Sequence, residues 1–211
     1  MTTEESLWIK EKLGQINLPP ECSVLDIGSS TIEYRQFQSY IEDNVFSPLR
    51  KRGLNVLYMD KRQGSGIDII GDIEDENILQ KITRRFDLII CTSLLEHVVS
   101  TARATANIIG LAAEGGYILI DVPHKWPRHN DPIDNMFRPT DKQLQQLFSR
   151  YAKFKVLASG ILDIQNRRHY VAQSKYPLWG YRKFHFWRYY FKKYRWKISC
   201  LLIKRVSKNE F

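Results

Sequence analysis

The 211-residue sequence contains no run of 18 or more apolar residues, so it offers no candidate for a membrane-spanning helix. Its first stretch, MTTEESLWIK, lacks the basic start and apolar follow-on of a secretory signal, and export is not expected. Cysteine is scarce and odd in number. Cys22, Cys91 and Cys200 lie far apart inside apolar runs, which argues for reduced, buried thiols and against a disulfide framework or a cysteine metal site. A cytoplasmic location is the expectation. Acidic residues are missing from one region: from Ile164 to Asn209 there are 13 Lys and Arg and no Asp or Glu, while the rest of the chain holds 19 basic residues against 23 acidic ones. The net charge of +9 is therefore a strongly basic C-terminal region joined to a mildly acidic body.

What is present is a recurrence of apolar runs of strand length: CSVLDI (22–27), LNVLYM (54–59), IDII (67–70), FDLIICT (86–92) and GYILIDV (116–122). Continuous runs suit a parallel sheet covered on both sides, where a one-sided antiparallel sheet would alternate. Apolar residues at three- to four-residue spacing predict helices over about 4–16, 35–52, 74–83, 100–113 and 141–151, the last N-capped by Thr140. FKVLASGI (154–161) and WKISCLLIKRV (196–206) read as two further strands, the last antiparallel at the sheet edge. The expected fold is a doubly wound, Rossmann-like α/β domain with a mostly parallel seven-stranded sheet and helices on both faces. Its parts are a core over residues 1–163, a basic aromatic insertion over 164–195, and a final strand and tail over 196–211.

Open parallel sheets bind ligands at strand C-termini, and four polar motifs fall there. In VLDIGSST (24–31) a strand ends in Asp26 and Gly28 ahead of a helix. A glycine lets the backbone approach a ligand, and the amides that follow can face its polar groups. The repeated glycines of a dinucleotide fingerprint are absent, since Ser29, Ser30 and Thr31 occupy the loop. In LNVLYMDKR, Asp60 ends the second strand, where an ionised carboxylate can accept from both ribose hydroxyls. It lies 32 residues past Gly28 instead of about 20, which asks for a longer first helix or an inserted loop. IDIIGDIED places Asp72 after the third strand, and FDLIICTSLLEHV runs the fourth into Thr92, Ser93, Glu96 and His97. A helix-start hydrogen bond is the simplest role for His97.

Together with EGGYILIDVP (114–123), the order of these motifs across about residues 20 to 150 resembles the class I S-adenosylmethionine-dependent methyltransferases. Within them it is similar to the small methyltransferases found with bacterial glycan and natural-product pathways. In those the fifth strand is followed by a Pro, a His, an Asp-Pro-like turn and an Arg-x-Thr, matched here by His129, Asp131, Pro132, Asp134, Arg138 and Thr140. The resemblance implies S-adenosylmethionine as cofactor, with Asp26, Gly28 and Ser29 at its methionine end, Asp60 at its ribose, Asp72 and the Ile73 amide at adenine, and Thr92 beside the sulfonium. Two departures stand out: Ser30 occupies a position where the family more often has glycine, and Asn135, Met136 and Phe137 precede Arg138 where relatives tend to carry aromatic residues.

Prolines 123, 127, 132 and 139 fix φ and restrict their predecessors, so the loop VPHKWPRHNDPIDNMFRPT is stiffened without secondary structure. Methyl transfer needs chiefly positioning, plus a base where the nucleophile is a hydroxyl, and a histidine with a pKa near 6.5 suits that base role. His129 is the first candidate and His124 the second. Arg138 can bind an anionic acceptor group, with Asp134 beside it, or pair with Asp134 to pin the loop. His124, His129, Asp131 and Asp134 match no dedicated metal-ligand spacing, so no metal is expected there.

Residues 176–196, YPLWGYRKFHFWRYYFKKYRW, hold 11 aromatics and seven basic residues, His185 included, with no acid. A helix there would align Phe184, Trp187, Phe191 and Tyr194 on one face, with Arg188, Lys192 and Arg195 alongside. Such a face suits an anionic membrane surface, suits nucleic acid less well, and suits a packed cap or homodimer contact. The leading expectation is O-methylation of a sugar or small molecule, lipid-linked glycans included, by a protein peripheral to the inner membrane face. The alternatives are an RNA methyltransferase and a non-catalytic scaffold that keeps the fold.

Overall fold

A computed structural model of the chain describes residues 1–129, 133–165 and 195–206. Seven strands form one sheet: β1 (Ser23–Ile27), β2 (Asn55–Asp60), β3 (Ile69–Ile70), β4 (Phe86–Thr92), β5 (Ala112–Lys125), β6 (Phe154–Ile164) and β7 (Trp196–Arg205). Their spatial order is β3-β2-β1-β4-β5-β7-β6. Strands β3 to β5 run parallel, while β7 is antiparallel to both β5 and β6. The antiparallel C-terminal strand expected at the edge is thus one place in from it, and β6 forms the border.

Alternation along the apolar runs explains why they are apolar on both sides. Leu25, Ile27, Ile89, Cys91, Ile118 and Ile120 point into one buried cluster with Ile78, Ile108 and Phe148. Their neighbours Val24, Leu88, Ile90 and Leu119 point into a second with Ile9, Val45, Phe46 and Leu49. Period-two geometry therefore feeds two cores from every central strand. On the second face lie α1 (Thr3–Gly14) and, after the short α2 (Ile32–Phe37), α3 (Ser39–Ile41), a π turn over Glu42–Phe46 and α4 (Ser47–Lys51). On the first lie α5 (Ile78–Lys81), α6 (Thr101–Leu111) and α7 (Asp141–Ser149). Thr140 caps α7 as expected, with Gln143 reciprocating across the capping box.

Two helices differ from expectation. The helix anticipated over 35–52 is four short pieces: Gln38 leaves helical geometry with ψ of 64°, and further on Pro48 has no N–H to donate and its ring crowds the preceding turn. The widened π turn, in which the Ser47 N–H reaches back to the Glu42 carbonyl, absorbs that clash. The helix anticipated over 74–83 shrinks to α5. Asp72 Oδ1 accepts from the Glu74 N–H and Asp75 Oδ1 from the Asn77 N–H, both at 2.9 Å, and such Asx turns compete with helical hydrogen bonds.

Candidate functional site

Strand order reverses between β1 and β4, and ligands in open α/β sheets bind at such a switch, beyond the carboxyl ends of the strands. Asp26 near the end of β1 and Thr92 at the end of β4 flank it. Gly28 follows β1 with φ of +78°, and a Cβ there would lie 3.0 Å from Leu94 Cδ1. The left-handed φ favours glycine there, and the Leu94 side chain leaves an added Cβ little room. The Gly28 and Ser29 amides both donate to the Met59 carbonyl, and Ser30 is itself left-handed at φ 57°.

Asp60, at the end of β2, accepts from the Ser30 N–H at 3.1 Å through Oδ2 and from the Arg62 N–H at 2.9 Å through Oδ1. Each carboxylate oxygen keeps a second acceptor site for a ligand hydroxyl. Arg35 was not singled out from sequence, yet its buried guanidinium ties the glycine loop together. It donates to the Ser30 carbonyl at 2.6 Å and the Gly66 carbonyl at 2.9 Å, and lies 3.8 Å from the Tyr58 ring centroid. Burial pushes the Asp26 carboxyl up to about 7, against the opposing pull of Arg35. A cation facing it would offset that cost.

Asp72 gives Oδ1 to its own turn and keeps Oδ2 for a ligand, while the buried Ile73 has its carbonyl fixed by Asn107 Nδ2 at 2.7 Å. The residues present fit a cofactor with a cationic amino-acid end and a ribose: a glycine cradle, a buried acid and a strand-end acid converge on the switch. Beside them Asp121, on β5, accepts from the Ser93 N–H at 2.9 Å through Oδ1. Burial first, and then the Glu5 carboxyl opposite, hold Asp121 well above the usual carboxylate range.

The loop after β5 is pinned to the turn after β4. Asn135 Nδ2 donates to the Leu95 and Val98 carbonyls at 2.9 and 2.7 Å, and the Asn135 N–H donates to the Glu96 carbonyl at 2.9 Å. Arg138 Nη2 lies 2.6 Å from Asp134 Oδ2, the loop-pinning arrangement. Although burial opposes ionisation, that guanidinium and the His129 and Met136 amides hold Asp134 down at about 2. His124 Nδ1 lies 3.0 Å from the Pro139 carbonyl. His129 Nε2 lies 3.2 Å from His97 Nε2, and burial lowers the His129 pKa below its ordinary value. His97 belongs to a 3-10 turn over Leu95–His97 and faces His129 instead of capping a helix. Neither Glu96 nor His97 was chosen as a site residue from sequence. Asp131, Pro132 and the expected helix within 176–194 lie outside the described residues.

No protein-family model and no curated protein matches the sequence. Solved structures do share the fold. The 4+2 cyclase SpnF superposes with a TM-score of 0.62 at 12% identity, over 96% of this chain and 81% of that one. A Bacillus halodurans protein provisionally named a methyltransferase gives 0.59 at 11%, over 94% and 98%. Haemonchus contortus phosphoethanolamine N-methyltransferase 2, in complex with S-adenosylhomocysteine, gives 0.53 at 12% over 96% of this chain, which spans about half of it (52%).

Proposed function

We propose that the chain is an S-adenosylmethionine-dependent methyltransferase acting on a hydroxyl of a sugar or small molecule, lipid-linked glycans included. The observation that carries the reading is the convergence of Asp26, Gly28, Asp60 and Thr92 on the strand-order switch of a sheet shared with methyltransferases. Asp26, Gly28 and Ser29 would hold the amino-acid end of the cofactor, Asp60 the ribose, Asp72 and the Ile73 amide the adenine. When bound, the cofactor would supply an electrophilic methyl carbon, and Thr92 would be the residue to flank it. Transfer to a hydroxyl leaves one proton to remove. His129, whose pKa burial lowers, would take it as the base, with His124 as the other candidate. Asp134 and Arg138 shape the acceptor side, and the proline-rich loop holds the acceptor still.

The basic aromatic stretch 176–196 extends the reading. Its flanks, Ile164 and Trp196, sit at the same end of the sheet as Lys125, the ligand edge. There it would bring the site to an anionic membrane surface that presents a lipid-linked acceptor. A second reading is a protein that keeps the fold without transferring methyl groups. Ser30 in place of glycine favours it, as does a cyclase built on the same architecture.

Calorimetric titration with S-adenosylmethionine and S-adenosylhomocysteine separates the two. Micromolar binding that disappears in Asp60→Ala is expected. Folded protein that binds neither compound, or an Asp60→Ala variant with unchanged affinity, would overturn the cofactor assignment.

A further inference from the structure

One cluster at the ligand edge has more donors than proton removal needs. Glu96, His97 and His129 bring a carboxylate oxygen and two imidazole nitrogens within 4.8 Å of one another. His97 Nδ1 lies 2.6 Å from the Ile133 carbonyl. A carbonyl only accepts, so Nδ1 carries the hydrogen and the neutral ring leaves Nε2 as a bare lone pair. His129 repeats the arrangement, with Nδ1 3.3 Å from the Pro127 carbonyl and 3.4 Å from Asp134 Oδ2. The two Nε2 atoms then face each other at 3.2 Å, with the rings nearly perpendicular at 85°.

Two lone pairs at that separation repel unless a proton or a cation lies between them. A zinc-type ion about 2.0–2.1 Å from each nitrogen would space them roughly 3.3 Å apart in a tetrahedron, close to the distance found. A shared proton also fits the histidines, so Glu96 decides between the two. Its side chain is fully buried, with Oε1 3.8 Å from His97 Nε2. Burial pushes its carboxyl up to about 8, against the pull of its own backbone amide, and neither carboxyl oxygen has a hydrogen-bond partner in another of the described residues. A shared proton answers the histidines alone, whereas a dication answers all three groups.

We propose that Glu96, His97 and His129 bind a divalent first-row transition-metal ion of the zinc type through one carboxylate oxygen and both Nε2 atoms, leaving a further coordination position open. Two nitrogens and one oxygen suit such an ion better than calcium or magnesium, which favour oxygen throughout. The carbonyls and carboxylate on the two Nδ1 atoms are the outer contacts that fix a ligand histidine's tautomer, and the Asn135 clamp holds the two loops in register. The site differs from the set His124, His129, Asp131 and Asp134 weighed from sequence, sharing only His129. Its use in catalysis rests on the proposed methyl transfer. An acceptor hydroxyl in the open position would release its proton to solvent more readily, with His129 a ligand instead of a base.

The test is chelator-stripped, full-length protein titrated with cobalt(II) and then zinc(II). One cobalt per chain is expected, with the visible absorption of a low-coordinate ion that zinc bleaches. Loss of His129, whose side chain is 31% exposed and so removable without opening the core, should weaken binding at least tenfold. Glu96→Gln should do the same, with circular dichroism confirming its fold. Wild-type protein that takes up no cobalt, or His129→Ala and Glu96→Gln variants that bind it undiminished, would overturn the site in favour of a shared proton. Titrating the same samples with S-adenosylmethionine keeps the two readings apart: cofactor without metal sinks only the ion, and metal without cofactor sinks only the methyl transfer.

Discussion

Asp26 shows how a single buried carboxyl sets a pH dependence. Its pKa is raised from 3.8 to about 7, so between those values the folded state holds a proton that the unfolded chain has released. Stability therefore falls as pH rises through that window and levels off above it. At about 1.4 kcal/mol per pH unit the full effect reaches roughly 4 kcal/mol. Asp26→Asn, neutral at every pH, should stabilise the cofactor-free protein more at pH 8 than at pH 5, as read by thermal denaturation at both values. Equal gains would show that Asp26 titrates normally. Residues of this kind were legible in the sequence, because Asp26 and Asp60 end apolar runs and a strand end fixes where its last side chain sits. Glu96 and His97 were not. Their significance depends on His129, which reaches them only because two loops touch, and no local periodicity encodes that contact. Arg35 escaped notice for the same reason: its partners Ser30 and Gly66 belong to different loops.

One side chain couples the loop after β5 to the turn after β4. Asn135 donates to two carbonyls of the Leu95–Val98 turn and accepts from the Phe137 N–H at 2.7 Å. Asn135→Ala removes all three hydrogen bonds and strands carbonyls that few waters can reach. A loss of about 1–3 kcal/mol is expected in chemical denaturation, together with weaker cobalt binding as His129 drifts from His97. Unchanged stability would mean that the prolines alone hold the loop. The element pattern itself was largely readable, since strands that feed two cores must be apolar throughout. Helix continuity was not: an amphipathic spacing survives a π turn at Pro48 almost unbroken, and the Asx turns before α5 lie in a stretch whose spacing still looks helical.

Across the whole molecule, the basic segment is an insertion between two strands that already form a hairpin. Ile164 pairs with Trp196, the Trp126 ring lies 4.3 Å from that of Trp196, and Asp163 Oδ1 lies 3.2 Å from Lys197 Nζ. Replacing residues 166–194 by Asn-Gly, a turn that suits two-residue hairpins, should therefore leave a folded protein with an unchanged far-ultraviolet spectrum. If the segment is the membrane contact, that variant loses sedimentation with anionic phospholipid vesicles; undiminished sedimentation ends the interfacial reading, and a salt-dependent RNA shift lost in its place would favour nucleic acid.

The place of β7 inside the sheet has a consequence in time. Among the described residues strand β6 is paired only with β7, and β5 has β7 as its second neighbour, so both wait for a partner synthesised after the whole 165–195 segment. At about 5–20 residues per second that interval lasts a few seconds. Throughout it the nascent chain offers an open, apolar strand edge, the state in which chains pair with one another. Yield in a cell should accordingly be governed by how well that edge is shielded before β7 arrives.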